Sequence, residues 1–227
     1  MNTIHCPADC TLVLPNFPSG SIQLILTSPP YKEEDGYSVD LLRFFARQAF
    51  SLLAEGCFCV VNIGPMPTKQ DISSRCSVLL EDAGLQFMFK IIWKKTFKRG
   101  GGIGITFQYP RPYNYYPNIM TEDILVYKKP GKRERRKEGE YSRDLVMRCR
   151  TDVWELYTSP LENAFPMKLA DAAIQFWSYP GDKVLDPFAG HGTVGRACTA
   201  LGRNAILIER NPALLGELKR VGRVVKH

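Results

Sequence analysis

Two consecutive prolines follow an apolar run near the start of the chain, in the sequence Ser28-Pro29-Pro30-Tyr31. The run, residues 22–27, is typical of a buried strand in a parallel sheet. Because proline fixes φ and has no N–H, the strand must end here and the loop after it is stiff. At the carboxyl end of a strand, the serine hydroxyl, the proline carbonyls and the tyrosine ring can form a slot for a flat group that carries an amine. The alternative is an ordinary turn that closes a strand.

Strand-like and helix-like segments alternate along much of the chain. Ser38 is expected to cap the first long helix and Gly56 to end it. Alternating strands and helices predict an α/β fold with a largely parallel sheet. The spacing of apolar residues predicts helices over residues 9–14, 39–53, 68–83 and 166–177, and strands over residues 4–6, 22–27, 57–63, 85–93, 124–127, 184–186 and 205–208.

The chain has 227 residues, of which 44% are hydrophobic, and this suits one α/β domain. No apolar run is long enough to cross a bilayer, and the first residues do not resemble a signal peptide, so we expect a soluble protein. The seven cysteines include no CxxC pair, and the three histidines lie far apart. We therefore expect reduced cysteines in the core, a reducing compartment and no metal site.

Positive charge is concentrated in one segment. Residues 90–150 hold 16 of the 30 Lys and Arg residues but only six acids, so the net charge of this segment is +10. The net charge of the whole chain is +7, and the residues outside the segment therefore sum to −3. A clustered basic face with aromatic residues between the charges is expected of a protein that binds nucleic acid through phosphates. The alternative is a solvated surface loop, as the run 128–137 would be alone.

Two stretches of this segment form no predicted element. Residues 94–118 contain three consecutive glycines and then five aromatic residues among prolines, and residues 128–150 are irregular and highly charged. Loops of such length in a compact domain are usually functional or disordered. We interpret residues 94–150 as a small recognition region within a single domain, 1–227. The candidate contacts to nucleic acid are Lys94, Lys95, Lys98, Arg99, Arg111, Arg133, Arg135 and Arg136.

A second motif lies near the other end, where a strand that ends at Asp186 turns through glycines into a helix. Gly190, Gly192 and Gly195 match the dinucleotide fingerprint G-x-G-x-x-G, and Glu209 follows at the distance of a ribose-binding acid. A nicotinamide-dependent oxidoreductase is therefore an alternative. Against it, the Asp186 carboxylate would repel a pyrophosphate and favour a cationic amino-acid head group. The 18 residues after Glu209 are also too few to complete a dinucleotide-binding sheet.

The two motifs together resemble the DNA amino-methyltransferases of the permuted β group. The resemblance rests on Thr-Ser-Pro-Pro-Tyr at 27–31 and Leu-Asp-Pro-Phe-Ala-Gly-His-Gly-Thr at 185–193, and segments 91–95, 122–127 and 165–166 fall in the expected order. It implies a doubly wound, mostly parallel sheet with helices on both faces, circularly permuted, in which the catalytic half precedes the half that binds S-adenosylmethionine. The chain departs from the usual pattern at His191, Asn163 and Gln23, where serine, histidine and aspartate are common.

The resemblance also implies roles for three carboxylates. Asp186 would lie near the methionine amine of S-adenosylmethionine, Glu209 would accept both ribose hydroxyls, and Asp9 would accept from the adenine amine. Each has a simpler alternative, because Glu209 and Asp9 are also plausible acids at helix N-termini and the glycines are plausible turn residues. The other implied cofactor-binding residues are Thr27, Phe165, Pro187, Phe188, Gly190, Gly192 and Thr193.

The implied reaction is direct methyl transfer to an exocyclic amine. The Ser28 hydroxyl and the Pro29 carbonyl would accept hydrogen bonds from the amine, Pro30 would stiffen the loop, and Tyr31 would stack on a base flipped out of DNA. Serine at position 28 favours N4 of cytosine over N6 of adenine, since among similar proteins the aspartate form goes mostly with adenine. The same fold could instead methylate RNA or a small-molecule amine. The expected setting is intracellular, either cytoplasmic or nucleoid-associated, or nuclear if the source is eukaryotic. A homodimer or a restriction endonuclease is expected as a further partner.

Overall fold

The computed structural model describes residues 3–30, 38–65, 71–96, 119–134, 141, 143–157, 166–214 and 223–224. The strands in these ranges are β1 Ile4–Cys6, β2 Ile22–Thr27, β3 Leu53–Ile63, β4 Gln86–Thr96, β5 Thr121–Lys128, β6 Val153–Tyr157, β7 Lys183–Asp186, β8 Asn204–Ile208 and β9 Arg223–Val224. The α-helices are α1 Cys10–Val13, α2 Val39–Leu52, α3 Ile72–Asp82, α4 Arg143–Arg148, α5 Met167–Trp177 and α6 Thr193–Ala200.

The strands form one sheet in the order β6-β4-β5-β3-β2-β7-β8-β1-β9. Among these strands only β5 is antiparallel to its neighbours. The chain moves from β2 through α2 to β3 in one direction, and from β7 through α6 to β8 in the other. The strand order therefore reverses between β2 and β7, and ligands of such sheets bind in the crevice at the carboxyl ends of the strands at this point.

Helices cover both faces of the sheet. Apolar residues of α1, α2 and α3 pack in one buried cluster, and those of α4, α5 and α6 pack in a second cluster on the other face. Strands buried on both faces explain the continuous apolar runs of the sequence. The predicted fold class, a doubly wound and mostly parallel α/β sheet, is confirmed.

The boundary between α2 and β3 differs from the prediction. The Ser38 Oγ caps α2 as expected, accepting from the Leu41 N–H at 3.0 Å. The helix ends at Leu52, and Leu53 begins the strand because it pairs with Ile22 in the sheet. Gly56 lies inside β3 with a φ of +70°, at an irregularity of the ladder, and does not end the helix.

Parts of the segment 94–150 are regular, against the prediction. Residues Lys94 to Thr96 continue β4, and the charged stretch contains the short helix α4, in which Arg148 Nε lies 2.9 Å from an Asp144 carboxylate oxygen. The sequence reading also missed β6, which pairs with the second half of β4. Its alternating burial, with Trp154 buried, is the usual signature of a strand with two different faces. Residues 97–118, 135–140 and 142 lie outside the described ranges.

All seven cysteines lie among the described residues and none forms a disulfide. Six are buried, and burial raises the pKa of the Cys76 thiol to about 12. These thiols therefore pack as small apolar groups, as predicted. In the described part of the chain, no helix has the length and apolar character needed to cross a membrane.

Candidate active site

The carboxyl ends of β2 and β7 bring the two sequence motifs together. Ile25 pairs with Leu185 in the parallel ladder, so the next residues of both strands meet at the point where the strand order reverses. Thr27 Oγ1 donates to Asp186 Oδ1 at 2.7 Å, and both side chains are buried. This hydrogen bond joins residues 159 positions apart and fixes the loop after β2 against the loop after β7.

Asp186 has an unusual environment for a carboxyl group. Burial raises its pKa to about 7, partly opposed by hydrogen bonds from the Thr27 hydroxyl and from the Phe188 N–H, which lies 3.1 Å from Oδ1, while the charge of Glu209 adds to the increase. A buried carboxylate is stabilised most by a cation that arrives with its own hydrogen-bond donors. Asp186 is therefore suited to an ammonium group and unsuited to a phosphate.

The glycine loop after β7 directs its amides inward. Gly190 and Gly192 have φ values of +50° and +75°, in the left-handed region that favours glycine. Four amides of the loop already have acceptors within the protein: Phe188 on Asp186 Oδ1, Ala189 on the Ile208 carbonyl, Gly190 on Glu209 Oε2 and Gly192 on the Ala189 carbonyl. A pyrophosphate site needs such amides directed at the ligand. This loop therefore does not support the dinucleotide alternative.

Glu209, directly after β8, holds the loop from the other side. Its Oε2 accepts from the Gly190 N–H at 2.8 Å, and its Oε1 accepts from the Asn211 N–H at 2.7 Å. Each oxygen keeps a further lone pair, so the carboxylate can also accept from two neighbouring hydroxyls. This capacity fits a ribose diol. Its position next to Asp186 fits a cofactor that carries both a ribose and an amino-acid head group, as S-adenosylmethionine does.

Asp9 lies after β1, at the start of α1. Its Oδ1 accepts from the Thr11 N–H at 2.8 Å and from the Thr11 hydroxyl at 2.7 Å, and Arg210 Nη1 lies 3.8 Å from its Oδ2. Burial acts to raise the pKa of Asp9, but the Thr11 hydrogen bonds and Arg210 outweigh it and the pKa is lowered. Asp9 is thus a helix N-cap, as its simpler interpretation proposed, and Oδ2 faces Arg210 next to Glu209. Its adenine contact stays a prediction.

Ser28, Pro29 and Pro30 continue β2 as an irregular loop, with Pro29 buried. Tyr31 and Phe165, the remaining predicted residues of this part of the site, lie outside the described residues. Pro187, Phe188 and Thr193 belong to the loop after β7 and the start of α6, and the Phe188 ring packs against the Phe45 ring with centroids 5.8 Å apart.

Asn62 and Glu122, two polar side chains near the Ser28 loop, were missed in the sequence, and Lys95 was expected to contact nucleic acid. Asn62 Nδ2 donates to Glu122 Oε2 at 2.8 Å, and Lys95 Nζ lies 2.6 Å from Glu122 Oε1. We call these three residues, on β3, β5 and β4, the polar row. The one signal in the sequence was an asparagine inside the apolar run 57–63.

The basic candidates that the structure describes already have acidic partners. Lys94 Nζ lies 2.7 Å from Glu155 Oε1 on the surface, and Lys95 belongs to the polar row. Arg133 Nη2 donates to both carboxylate oxygens of the buried Asp182 at 2.6 Å, and its guanidinium lies 4.8 Å from the centre of the Tyr179 ring. These contacts explain Arg133 without nucleic acid. The remaining candidates lie outside the described ranges: Lys98, Arg99, Arg111, Arg135 and Arg136.

One of the three departures from the family pattern has a side-chain role within the protein, and at a second the backbone makes an internal contact. Gln23 Oε1 accepts from the Lys183 N–H at 3.0 Å, so this side chain links β2 to β7 as local packing. The His191 carbonyl accepts from Arg196 Nη1 at 2.6 Å, which ties the glycine loop to α6. Asn163 lies outside the described residues.

Comparisons with known proteins agree with this geometry. The N6_N4_Mtase family, described as DNA methylase, matches residues 22–220. The type II methyltransferase M.Cfr9I of Citrobacter freundii is 26% identical over 90% of this chain and 82% of its own length. M.HpaI of Haemophilus parainfluenzae, also a type II methyltransferase, is 31% identical over 87% of this chain and 67% of its own length.

Solved structures show the same fold. TTHA0409 of Thermus thermophilus, in complex with S-adenosyl-L-methionine, superposes with a TM-score of 0.79 at 25% identity, covering 98% of this chain and 99% of that one. PvuII DNA methyltransferase, which is cytosine-N4-specific, superposes with a TM-score of 0.75 at 17% identity, covering 100% of this chain and 95% of that one. The family match extends from β2 past Glu209 and so includes both motifs, and the chain belongs to the N6_N4_Mtase family of DNA methylases.

Proposed function

We propose that the protein transfers a methyl group from S-adenosylmethionine to the exocyclic N4 amine of cytosine in DNA. The observation that carries the proposal is the buried hydrogen bond from Thr27 to Asp186. It places the loop that can hold an amine directly beside the loop that can hold a cationic amino acid. A methyl donor and its acceptor must meet in line, so these two loops must be neighbours for transfer to occur.

The described residues supply a consistent cofactor site. Asp186 would bind the ammonium of the methionine part, Glu209 the ribose hydroxyls, and Asp9 the adenine amine. When bound, S-adenosylmethionine supplies an electrophilic methyl group on a sulfonium. Asp186 and Glu209 hold their positions through hydrogen bonds to the loop amides, so the site is organised before the ligand arrives. TTHA0409, which was solved with S-adenosyl-L-methionine, supports the same cofactor here.

The loop after β2 would hold the target amine. The lone pair of an exocyclic amine is delocalised into the base, and acceptors for its two hydrogens draw the nitrogen toward tetrahedral geometry. The Ser28 hydroxyl and the Pro29 carbonyl are those acceptors, directed to the place where positive charge develops. Stacking on Tyr31 requires the base to leave the duplex, at a cost of about a few kcal/mol for unstacking.

The choice of cytosine rests on Ser28. A carboxylate at this position would pair strongly with the amine, whereas the neutral serine mainly orients it. Among similar proteins the serine form goes mostly with cytosine. N6 of adenine is the other outcome, since both amines carry two hydrogens and both fit the same acceptors.

The product identifies the function directly. Purified protein, S-adenosylmethionine and duplex DNA should yield N4-methylcytosine when the DNA is digested to nucleosides and the nucleosides are separated by mass. N6-methyladenine as the sole product would overturn the choice of base but keep the reaction class. Methyl transfer into RNA and not into DNA would overturn the substrate.

The partners follow from the same proposal. DNA would contact residues 94–150, where positive charge is concentrated. M.Cfr9I and M.HpaI are type II methyltransferases, and their likeness supports a restriction endonuclease counterpart. Homodimer formation is a further part of the proposal, which sedimentation with and without DNA would test.

A further inference from the structure

The polar row lies next to the loop that holds the target amine. Thr27 of β2 pairs with Val61 of β3 in a parallel ladder, so Ser28 and Asn62 are the next residues of adjacent strands. Neighbouring strands are about 4.8 Å apart. Asn62 is therefore the residue of β3 that is adjacent in register to Ser28.

The groups of the polar row are buried to an unusual degree. Asn62 is 2% exposed, and the side chains of Lys95 and Glu122 are 15% and 12% exposed. Buried ion pairs contribute little net stability compared with apolar residues of the same volume. Gly64 leaves room for the Glu122 side chain, since a Cβ at this glycine would lie 2.7 Å from Glu122 Cγ. Because stability does not explain why polar side chains are buried next to the Ser28 loop, we look for a role in the reaction.

The contacts of Glu122 determine how the Asn62 amide is oriented. A carboxylate paired with an ammonium can only accept hydrogen bonds, so Asn62 must direct Nδ2 toward it. The Asp123 carbonyl, 3.4 Å from Nδ2, takes the second hydrogen. The sheet order β5-β3-β2 places Glu122 on one side of Asn62 and Ser28 on the other. Asn62 Oδ1 is therefore the amide atom that is not bonded to β5, and no donor to it occurs among the described residues.

We propose that Asn62 Oδ1 accepts a hydrogen bond from the exocyclic amine of the target base, and that Glu122 and Lys95 are positioning residues that hold it as an acceptor. The inference rests on the proposed function and adds a residue to its site. The Pro29 carbonyl takes one hydrogen of the amine, and Asn62 shares the other with Ser28.

Methyl transfer from S-adenosylmethionine to the amine needs no further reactant. The amine lone pair forms the new N–C bond, the electron pair of the broken S–C bond returns to sulfur, and the surplus proton passes to water. Positive charge develops on the amine nitrogen, where an amide oxygen is a better acceptor than a hydroxyl. The Glu122 carboxylate polarises the amide through Nδ2 and strengthens Oδ1 further.

Single-turnover kinetics at saturating cofactor and DNA test the assignment. Asn62→Ala should slow methyl transfer by about a hundredfold, with unchanged affinity for S-adenosylmethionine because Asp186 and Glu209 are untouched. Glu122→Gln should slow it less, since the Asn62 oxygen remains but loses its polarisation. Asn204→Ala is the matched control, because Asn204 Nδ2 donates to the Gly181 carbonyl at the amino end of β8. It should leave the rate unchanged.

A binding measurement separates recognition of the amine from a structural role. With S-adenosylhomocysteine bound, the wild-type protein should prefer DNA with the target base over DNA with an analogue that lacks the amine. Asn62→Ala should reduce this preference. If Asn62→Ala and the wild type show the same preference for the target base and the same rate of methyl transfer, the inference is overturned and the proposed function stands. A parallel loss of thermal stability and cofactor affinity would assign Asn62 to the fold. Absence of methyl transfer into DNA by the wild type would overturn the proposed function, and the inference with it.

Discussion

The carboxyl group of Asp186 has a raised pKa and is also oriented by hydrogen bonds. Its pKa, raised to about 7 by burial, means that ligand-free protein holds it partly protonated near neutral pH. The hydrogen bonds from Thr27 and Phe188 already orient it. Only the charge has to change when a cation binds, and the geometry is ready beforehand. If an ammonium group binds to Asp186 as proposed, proton release should accompany binding.

This coupling predicts a pH-dependent affinity. Below pH 7, affinity for S-adenosylmethionine should fall by up to about tenfold per pH unit, because binding must first remove a proton. Asp186→Asn keeps the size and most hydrogen bonds of the side chain but should bind weakly at every pH, and Asp186→Ala should abolish binding. Calorimetry in buffers of different ionisation enthalpy measures both affinity and released protons. Equal affinity of wild type at pH 5 and pH 8 would contradict the coupling.

The same group affects stability with a definite sign. Its pKa in the native state is above the ordinary value of 3.8, so the native state retains a proton that the unfolded chain releases. The resulting stabilisation is complete below about pH 4 and is lost as the pH rises through 7. Ligand-free Asp186→Asn should therefore exceed wild type in thermal stability at pH 8, and the difference should shrink toward pH 5.

At the scale of elements, β3 depends on a close approach to the segment after β5. Gly56 has a φ of +70°, and a Cβ there would lie 2.6 Å from the Arg133 backbone nitrogen. Backbone atoms cannot move aside as a flexible side chain can. Gly56 thus permits the contact that brings Arg133 to Asp182, ahead of β7.

Substitution by alanine should reveal this contact. Gly20 is the matched control, because its φ is +67° and a Cβ would meet nothing within 4 Å. Gly20→Ala should cost about 1 kcal/mol from the left-handed backbone alone. Gly56→Ala should cost about 2 kcal/mol more from the clash. Thermal unfolding of both variants checks the difference, and equal melting temperatures would contradict the close approach.

For the whole molecule, the distribution of charge bears on the proposal that DNA binds to residues 94–150. The segment 90–150 is strongly basic, while Lys95 and Arg133 within it are taken up by Glu122 and Asp182. If DNA binds to this segment as proposed, we expect its phosphate contacts to come from other basic residues of the segment. Lys98 and Arg111, which remain candidates, are accordingly better choices for mutation than Lys95 or Arg133.

The salt dependence of DNA binding should distinguish basic residues that contact phosphates from basic residues that pair with carboxylates of the protein. DNA affinity should fall steeply with salt, and Arg111→Gln should flatten the log–log slope by about one. Arg133→Gln should leave the slope unchanged but lower stability by about 3 kcal/mol, because it removes the guanidinium that donates to both oxygens of the buried Asp182 carboxylate. Binding by fluorescence anisotropy between dilute and physiological salt tests both. A slope of zero for wild type would contradict the assignment of a phosphate-binding segment.

How far the sequence predicts the structure depends on the range of the interactions. Ser38 and Asp9 cap their helices through hydrogen bonds within three residues, and such caps are visible in sequence. The partners of Arg133 and Asn62 lie 49 and 60 residues away, and the sequence did not reveal that these parts of the chain meet. Leu53 fits a helical pattern, but pairing with Ile22 outweighs it. Tertiary pairing thus decides what local propensity leaves open.

The position of β1 has a consequence for synthesis of the protein on the ribosome. Ile4 pairs with Ile206 of β8 and with Arg223 of β9, so β1 leaves the ribosome well before the two strands that it pairs with. At the usual elongation rates this delay is about 10 to 40 s. During that time Asp9 has no Glu209 beside it, and no cofactor site exists on the nascent chain. Methyl transfer therefore cannot begin until β8 and Glu209 have been translated and β1 has joined β8.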